Sequence, residues 1–201
     1  MQRKFDVDQV NELLYQALET ERGGIKIYTA AIKAAINEDL RREWSEYLDE
    51  TKTHEKVLTA VFDELGLDTE TQTPGRTVVA FQGASLVKAI EMALATADPG
   101  GAQLVAGECV VLAETKDHQN WELIGHVAKH ASGDIPKVLK KAFEAVEKDE
   151  DHHLYHTTGW TRELWIESLG FPAVLPPPEE VKKVETAIGA SRAEQARDEM
   201  L

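Results

Sequence analysis

Apolar residues recur every three to four positions along four long stretches of the chain, the spacing that gathers them on one side of an α-helix. In the first stretch, about residues 7–36, they fall at Val10, Leu14, Ala17, Ile25, Tyr28, Ile32 and Ala35, and Asp6 is placed to cap the start. The second, about 39–66, carries Leu40, Trp44, Tyr47, Leu58, Val61 and Leu65, and Gly66 ends it. The third, about 101–131, is apolar on several sides through "AQLVAGECVVLA", which predicts burial against more than one neighbour. The fourth starts after "ASGD" with Pro136 in its first turn and continues to about 168.

The connections decide how these helices pack. Only "INED" separates the first two, so they should form an antiparallel hairpin. Residues 67–84 break the periodicity with Pro74, Gly75 and Gly83, and "TVVAF" reads as at most a short extended piece. A short helix, "SLVKAIEMALAT", should follow, capped by Ser85. The link from Gly66 to Gly101 is long enough to run back along a bundle roughly 40 Å tall, as a crossover between parallel helices requires. The expectation is an all-α four-helix bundle with a long crossover between helices two and three, a short helix in that crossover, and a C-terminal helix. Residues 1–170 would form the bundle; residues 171–201, with prolines at 176–178, would form a stiff linker and a mostly polar helical extension.

Composition narrows the function. A formal charge of -14 repels phosphate backbones and anionic lipid, which argues against nucleic acid or a membrane as the partner and suits cations. Cys109 is the single cysteine, so the chain cannot build a disulfide framework, a CxxC pair or a thiolate iron or zinc site by itself. The start lacks an apolar targeting core, and no run of roughly 18 apolar residues occurs, so a cytoplasmic location is expected.

The chemistry lies where acids interrupt the apolar stripes. "LDETKTHEKV" at 48–57 and "LAETKDHQNW" at 112–121 each place a glutamate four residues before a histidine. Glu21 sits midway between Ala17 and Ile25 on the first stripe, Glu50 and His54 one turn apart on the second, and Glu150 and His153 on the fourth. An unpaired carboxylate buried there would cost several kcal/mol. On the third helix, counting back from the second hairpin link selects Glu114 as level with the others. Glu108 lies nearly two turns too far away, Glu122 about two turns too close, and His118 is an extra imidazole. One glutamate from each of four helices, with at least two histidines, can thus meet at one height. Carboxylate and imidazole suit iron or manganese, and bridging carboxylates can hold two ions.

At these residues the chain resembles the ferritin-like superfamily, most closely its rubrerythrin-like branch without a rubredoxin domain. The similarity covers about residues 7–160: "ETERGGIKIYTAAIKAA" with Glu21 and Tyr28, "YLDETKTHEKVLTAVFDELG" with Glu50 and His54, and "EDHHL" with Glu150 and His153. Helix two departs from that pattern, having Glu-x-x-x-His with Thr51 at the usual acid position. The resemblance implies two metal ions, iron first and manganese as the alternative, held by Glu21, Glu50, His54, Glu114, Glu150 and His153, with Tyr28 donating a hydrogen bond or an electron. The implied activity is oxidation of the metal by dioxygen or hydrogen peroxide, with electrons from a separate donor or from ferrous ions. The alternative is a metal-binding or iron-handling stress protein without turnover. A homo-oligomer, a dimer in the first instance, would be its quaternary state.

Overall fold

Four of the five long helices start where a short polar side chain takes up free N–H groups. In the computed structural model, which describes residues 5–201, Asp6 accepts from Asp8 and Gln9 at the head of α1 (Val7–Ala34). Asn37 does the same for α2 (Glu38–Leu65), which ends at Gly66 in the left-handed conformation, φ 68°. Thr73 and Asp98 cap α3 (Pro74–Thr96) and α4 (Pro99–His130), both with proline in the first turn, and α5 (Asp134–Ser168) follows Gly133. Two short helices, α6 (Pro178–Val181) and α7 (Ala187–Gln195), and a 3-10 turn at Arg197–Met200 complete the chain. Among the described residues there is no strand, so the protein is all-α.

α1 packs on α2 and α4, and α5 packs on the other sides of α2 and α4, which closes a ring of four long helices. Their interior holds two apolar clusters. One gathers Tyr28, Ala31, Leu40, Trp44, Tyr47, Val110 and Trp160; the other gathers Leu14, Leu18, Leu58, Phe62, Trp121, Leu139 and Val146. Along each helix the acids and histidines fall between its contributions to the two clusters, so a polar layer crosses the bundle between two dry halves.

The crossover differs from the sequence expectation. α3 is one helix from Pro74 onward, and it includes "TVVAF"; Ser85 lies mid-helix, where its hydroxyl donates to the Phe81 carbonyl and caps nothing. Tertiary contacts override the local pattern. The buried Arg76 guanidinium donates to Glu19 and to the carbonyls of Thr69 and Thr71, pinning the helix start to α1 and to the preceding loop. Further along, Gly83 packs against Gly23 on α1, where a Cβ on either would sit in ordinary contact with the other backbone, 3.5–3.8 Å away. α3 thus lies outside the ring against α1 and α4. It is the described helix long and apolar enough, by length and composition, to cross a membrane.

The C-terminal segment is not a single polar helix. α6 and α7 fold back on α5 through ion pairs: Glu163, fully buried, accepts from Arg197, Arg162 and the Val174 amide, while Arg162 grips Glu179 with both terminal nitrogens.

Candidate metal centre

The inward line of α1 brings Glu21 into the polar layer, that of α2 brings His54, that of α4 brings Glu114 and Asp117, and that of α5 brings Glu150 and His153. None of the six is more than 4% exposed. Two trios can each present ligand atoms within 4.8 Å of one another: His54, Glu150 and His153, and Glu21, Asp117 and Glu150. Glu150 belongs to both, as a carboxylate between two ions would.

Both imidazoles are held the same way round. His54 Nδ1 faces inward, 3.0 Å from Glu150 Oε1 and 3.8 Å from Glu21 Oε1, and its Nε2 lies 3.3 Å from Asp149 at the outer side. His153 Nδ1 faces inward, 3.6 Å from Glu114 and 3.8 Å from Glu150, with Nε2 2.9 Å from Glu50. The rings stack 5.5 Å apart. A carboxylate behind each Nε2 fixes the tautomer that leaves Nδ1 as a lone-pair donor, an arrangement common behind metal-ligating histidines. Trp121 Nε1 donates to Glu21 Oε1 at 2.8 Å, which orients that carboxylate and leaves Oε2 free.

Seven inward atoms of this layer are buried without a hydrogen bond: Glu21 Oε2, Glu114 Oε2, Asp117 Oδ1, both oxygens of Glu150, and Nδ1 of His54 and His153; His54 Nδ1 and Glu150 Oε1 lie 3.0 Å apart but outside hydrogen-bond geometry. Buried polar atoms are seldom left so. Electrostatics points the same way. Burial, then Asp117 and Glu150, push the Glu21 carboxyl well above its ordinary value; burial, then Glu150 and Glu114, do the same to Asp117. Burial pulls His153 down, but Glu114 and Glu50 overcome it and leave the imidazole well above normal; His54 is raised against its own burial by Asp149 and Glu150. Without a cation the layer therefore competes for protons.

Of the residues singled out in the sequence, Glu21, His54, Glu114, Glu150 and His153 lie together in this buried layer. Glu50 is placed differently, its side chain 40% exposed and its carboxylate behind His153. Tyr28 is fully buried at the edge of the layer, its ring 6.0 Å from that of His153 and its hydroxyl without a partner; burial and Glu114 raise its pKa. His118 lies outside the layer, bonded to Asp151, and Glu108 accepts from Trp165 at the surface. Asp117 and Asp149 escaped the sequence reading. Asp117 had a signal, one turn after Glu114 on the same face; Asp149 had none beyond its neighbour Glu150.

A second buried polar group adjoins the layer. Tyr47, its ring 4.3 Å from His153, donates to Glu43 and lies 3.2 Å from His156 Nδ1, and Trp160 also donates to Glu43. Burial and the Glu43 carboxylate push the Glu180 carboxyl of α6 up to about 8. No protein-family model matches the chain, and neither does any curated protein or solved structure.

Proposed function

We propose that the chain is a ferritin-like di-metal carboxylate protein that holds two iron ions, with manganese as the alternative, and passes electrons to dioxygen or hydrogen peroxide. The observation that carries this reading is the set of seven orphaned inward atoms on residues almost fully excluded from solvent. Water could satisfy those acceptors as hydrogen-bond partners, but it could not neutralise four carboxylates gathered in a dry layer; cations can.

The residues would divide the work. Glu21, Glu114, Asp117 and Glu150 would supply oxygens, Glu150 being the carboxylate common to both trios, while His54 and His153 would supply one Nδ1 each. Glu50 and Asp149 keep the two Nε2 atoms protonated and the rings in register. Tyr28, whose hydroxyl has no other partner, can donate a proton or hydrogen bond to an oxidant-derived oxygen. Bound iron would supply a Lewis-acidic position for the oxidant and the electrons that reduce it. With Cys109 alone, a cysteine-bound iron relay within the chain is excluded, so replacement electrons come from ferrous ions or a separate donor. A homodimer belongs to the same reading, and the outer face of α3, with Val78, Phe81 and Met92 exposed, is its surface.

Elemental analysis of the purified protein tests the first step. About two equivalents of iron or manganese are expected, falling to one or none in Glu150→Ala. Mixing the ferrous protein with oxygen and with peroxide then reads the second step as a change in the metal's optical spectrum. Two bound ions inert to both oxidants would make this a metal-holding protein without turnover. A metal-free protein that takes up no ions would end the proposal.

A further inference from the structure

α3 and α4 follow one another through Ala97 and Asp98, and both lie on α1. Between them, over α1, opens a cavity of about 390 Å³, inside the range of roughly 300–1,000 Å³ in which small-molecule sites fall. Its lining is mainly apolar: Ile27 from α1, Val79 and Leu86 from α3, Leu112 and Ala113 from α4. Most of its polar side chains are already engaged. The Glu19 carboxylate holds Arg76, the Thr20 hydroxyl donates to the Gln16 carbonyl, and that of Ser85 donates to the Phe81 carbonyl. Lys116, half-buried in the cavity wall, differs. Its ammonium donates to the neutral amide oxygen of Asn120, and among the described residues no carboxylate pairs with it. The helix on the other side gives a second reason to expect an occupant: the apolar stretch of α3 has a mean hydropathy of 1.5 and is only 17% buried, and apolar surface left so uncovered marks a place of binding.

We propose that the cavity between α3 and α4 binds a small apolar monocarboxylate, of which a medium-chain fatty acid is the type, with its hydrocarbon against Ile27, Val79, Leu86 and Leu112 and its carboxylate on Lys116. The proposal is independent of the di-metal reading. The hydrocarbon supplies most of the affinity, because each methylene taken out of water adds to it. The head group follows from charge. A carboxylate brings one negative charge to one ammonium, whereas a phosphate dianion would bring a second with no free cation in the lining to meet it, into a chain whose net charge is already -14. A neutral apolar ligand would desolvate the ammonium further and give it nothing in return. Phe81 and Leu112, both exposed, stand at the rim, so the mouth is open to a ligand from solvent.

The test is isothermal titration of the full chain with decanoate, below its micelle concentration, and with decanol, which has the same hydrocarbon and no charge. Decanoate should bind about ten-fold or more tighter than decanol. Lys116→Met keeps the apolar stem and removes the charge, and should bring decanoate down to the level of decanol, while Lys116→Arg should keep the preference. Gln82→Trp, at an exposed position of the lining, should fill the cavity and weaken both ligands about ten-fold or more without lowering the melting temperature. Equal affinity for the two ligands in the wild type, or a preference that survives Lys116→Met, would overturn the contact with Lys116 and with it the proposal. Absence of decanoate binding would overturn the site outright. Decanoate that binds only once dilution has dissociated a dimer would assign the cavity to a second copy of the chain and overturn the ligand site as well.

Discussion

Replacing Glu21 with glutamine separates a layer built for cations from a layer of badly buried acids. Glutamine has nearly the same shape, and its carbonyl can keep the bond from Trp121 Nε1 to Oε1, so packing should survive. What changes is the charge. In wild type, Glu21 is fully buried, Oε2 lacks a partner, and Asp117, Glu150 and Glu114 all disfavour its ionised form. An unsatisfied buried group costs about 1–3 kcal/mol. In chelator at pH 7.5 the variant should therefore be more stable than wild type, melting roughly 2–12 °C higher at about 2–4 °C per kcal/mol for a chain of this size. With metal that advantage should shrink by about 2.3 kcal/mol, enough to reverse the order unless the variant's lead in chelator lies near the top of its range. An ion present at a hundred times its Kd stabilises by about 2.7 kcal/mol, and the same ion at a site weakened a hundred-fold by only about 0.4 kcal/mol. Scanning calorimetry of both proteins in EDTA and in manganous ion measures the four melting points. A variant that is less stable than wild type in chelator, or that gains as much from manganese, would refute the reasoning.

Other outcomes follow from the same layer. In chelator, melting temperature should fall as pH rises from 6 to 9. The raised carboxyls of Glu21 and Asp117 favour the folded state most below their unfolded values, and the raised imidazoles of His54 and His153 do so below about 6.5; both contributions fade as pH climbs through the folded values. With manganese present the slope should flatten or reverse, because the ion replaces those protons. Asp117→Asn should lower metal stoichiometry or affinity at least ten-fold, and Glu50→Gln should weaken binding less, because it alters the partner of His153 and removes no inner atom; isothermal titration separates the two. Phe81→Glu, on the exposed face of α3, should convert a dimer to a monomer in sedimentation without changing metal content.

The four long helices and their hairpin links were legible because periodicity over seven or more turns leaves little room for another arrangement. The start of α3 was not legible. Its β-branched run, two glycines and a proline favour irregular structure locally, and what makes it helical is remote: Glu19 holding Arg76, and the packing of α3 along α1. The tail failed to read for a related reason. Glu163 looks like one more surface acid in the sequence, but it is the buried anchor for two arginines, one of them 34 residues on.

At the centre, the difference between Glu50 and Asp117 is one of angle. Successive helical residues are about 100° apart, so the inward line of α2 through Tyr47, Thr51, His54 and Leu58, all buried, leaves Glu50 turned aside toward α5. The acid position on that line is Thr51, whose hydroxyl bonds the Tyr47 carbonyl. On α4 the line runs through Val110, Glu114, Asp117 and Trp121, so that helix gives two carboxylates where α2 gives none. The inner count then comes to four carboxylates, Glu21, Glu114, Asp117 and Glu150, which two divalent ions neutralise and one would leave doubly negative. Asp117 thus balances the charge that Thr51 omits. For that reason Asp117→Asn should do more than delete one ligand: it leaves the loaded layer with a net positive charge in a dry interior, and the second ion should be the one lost.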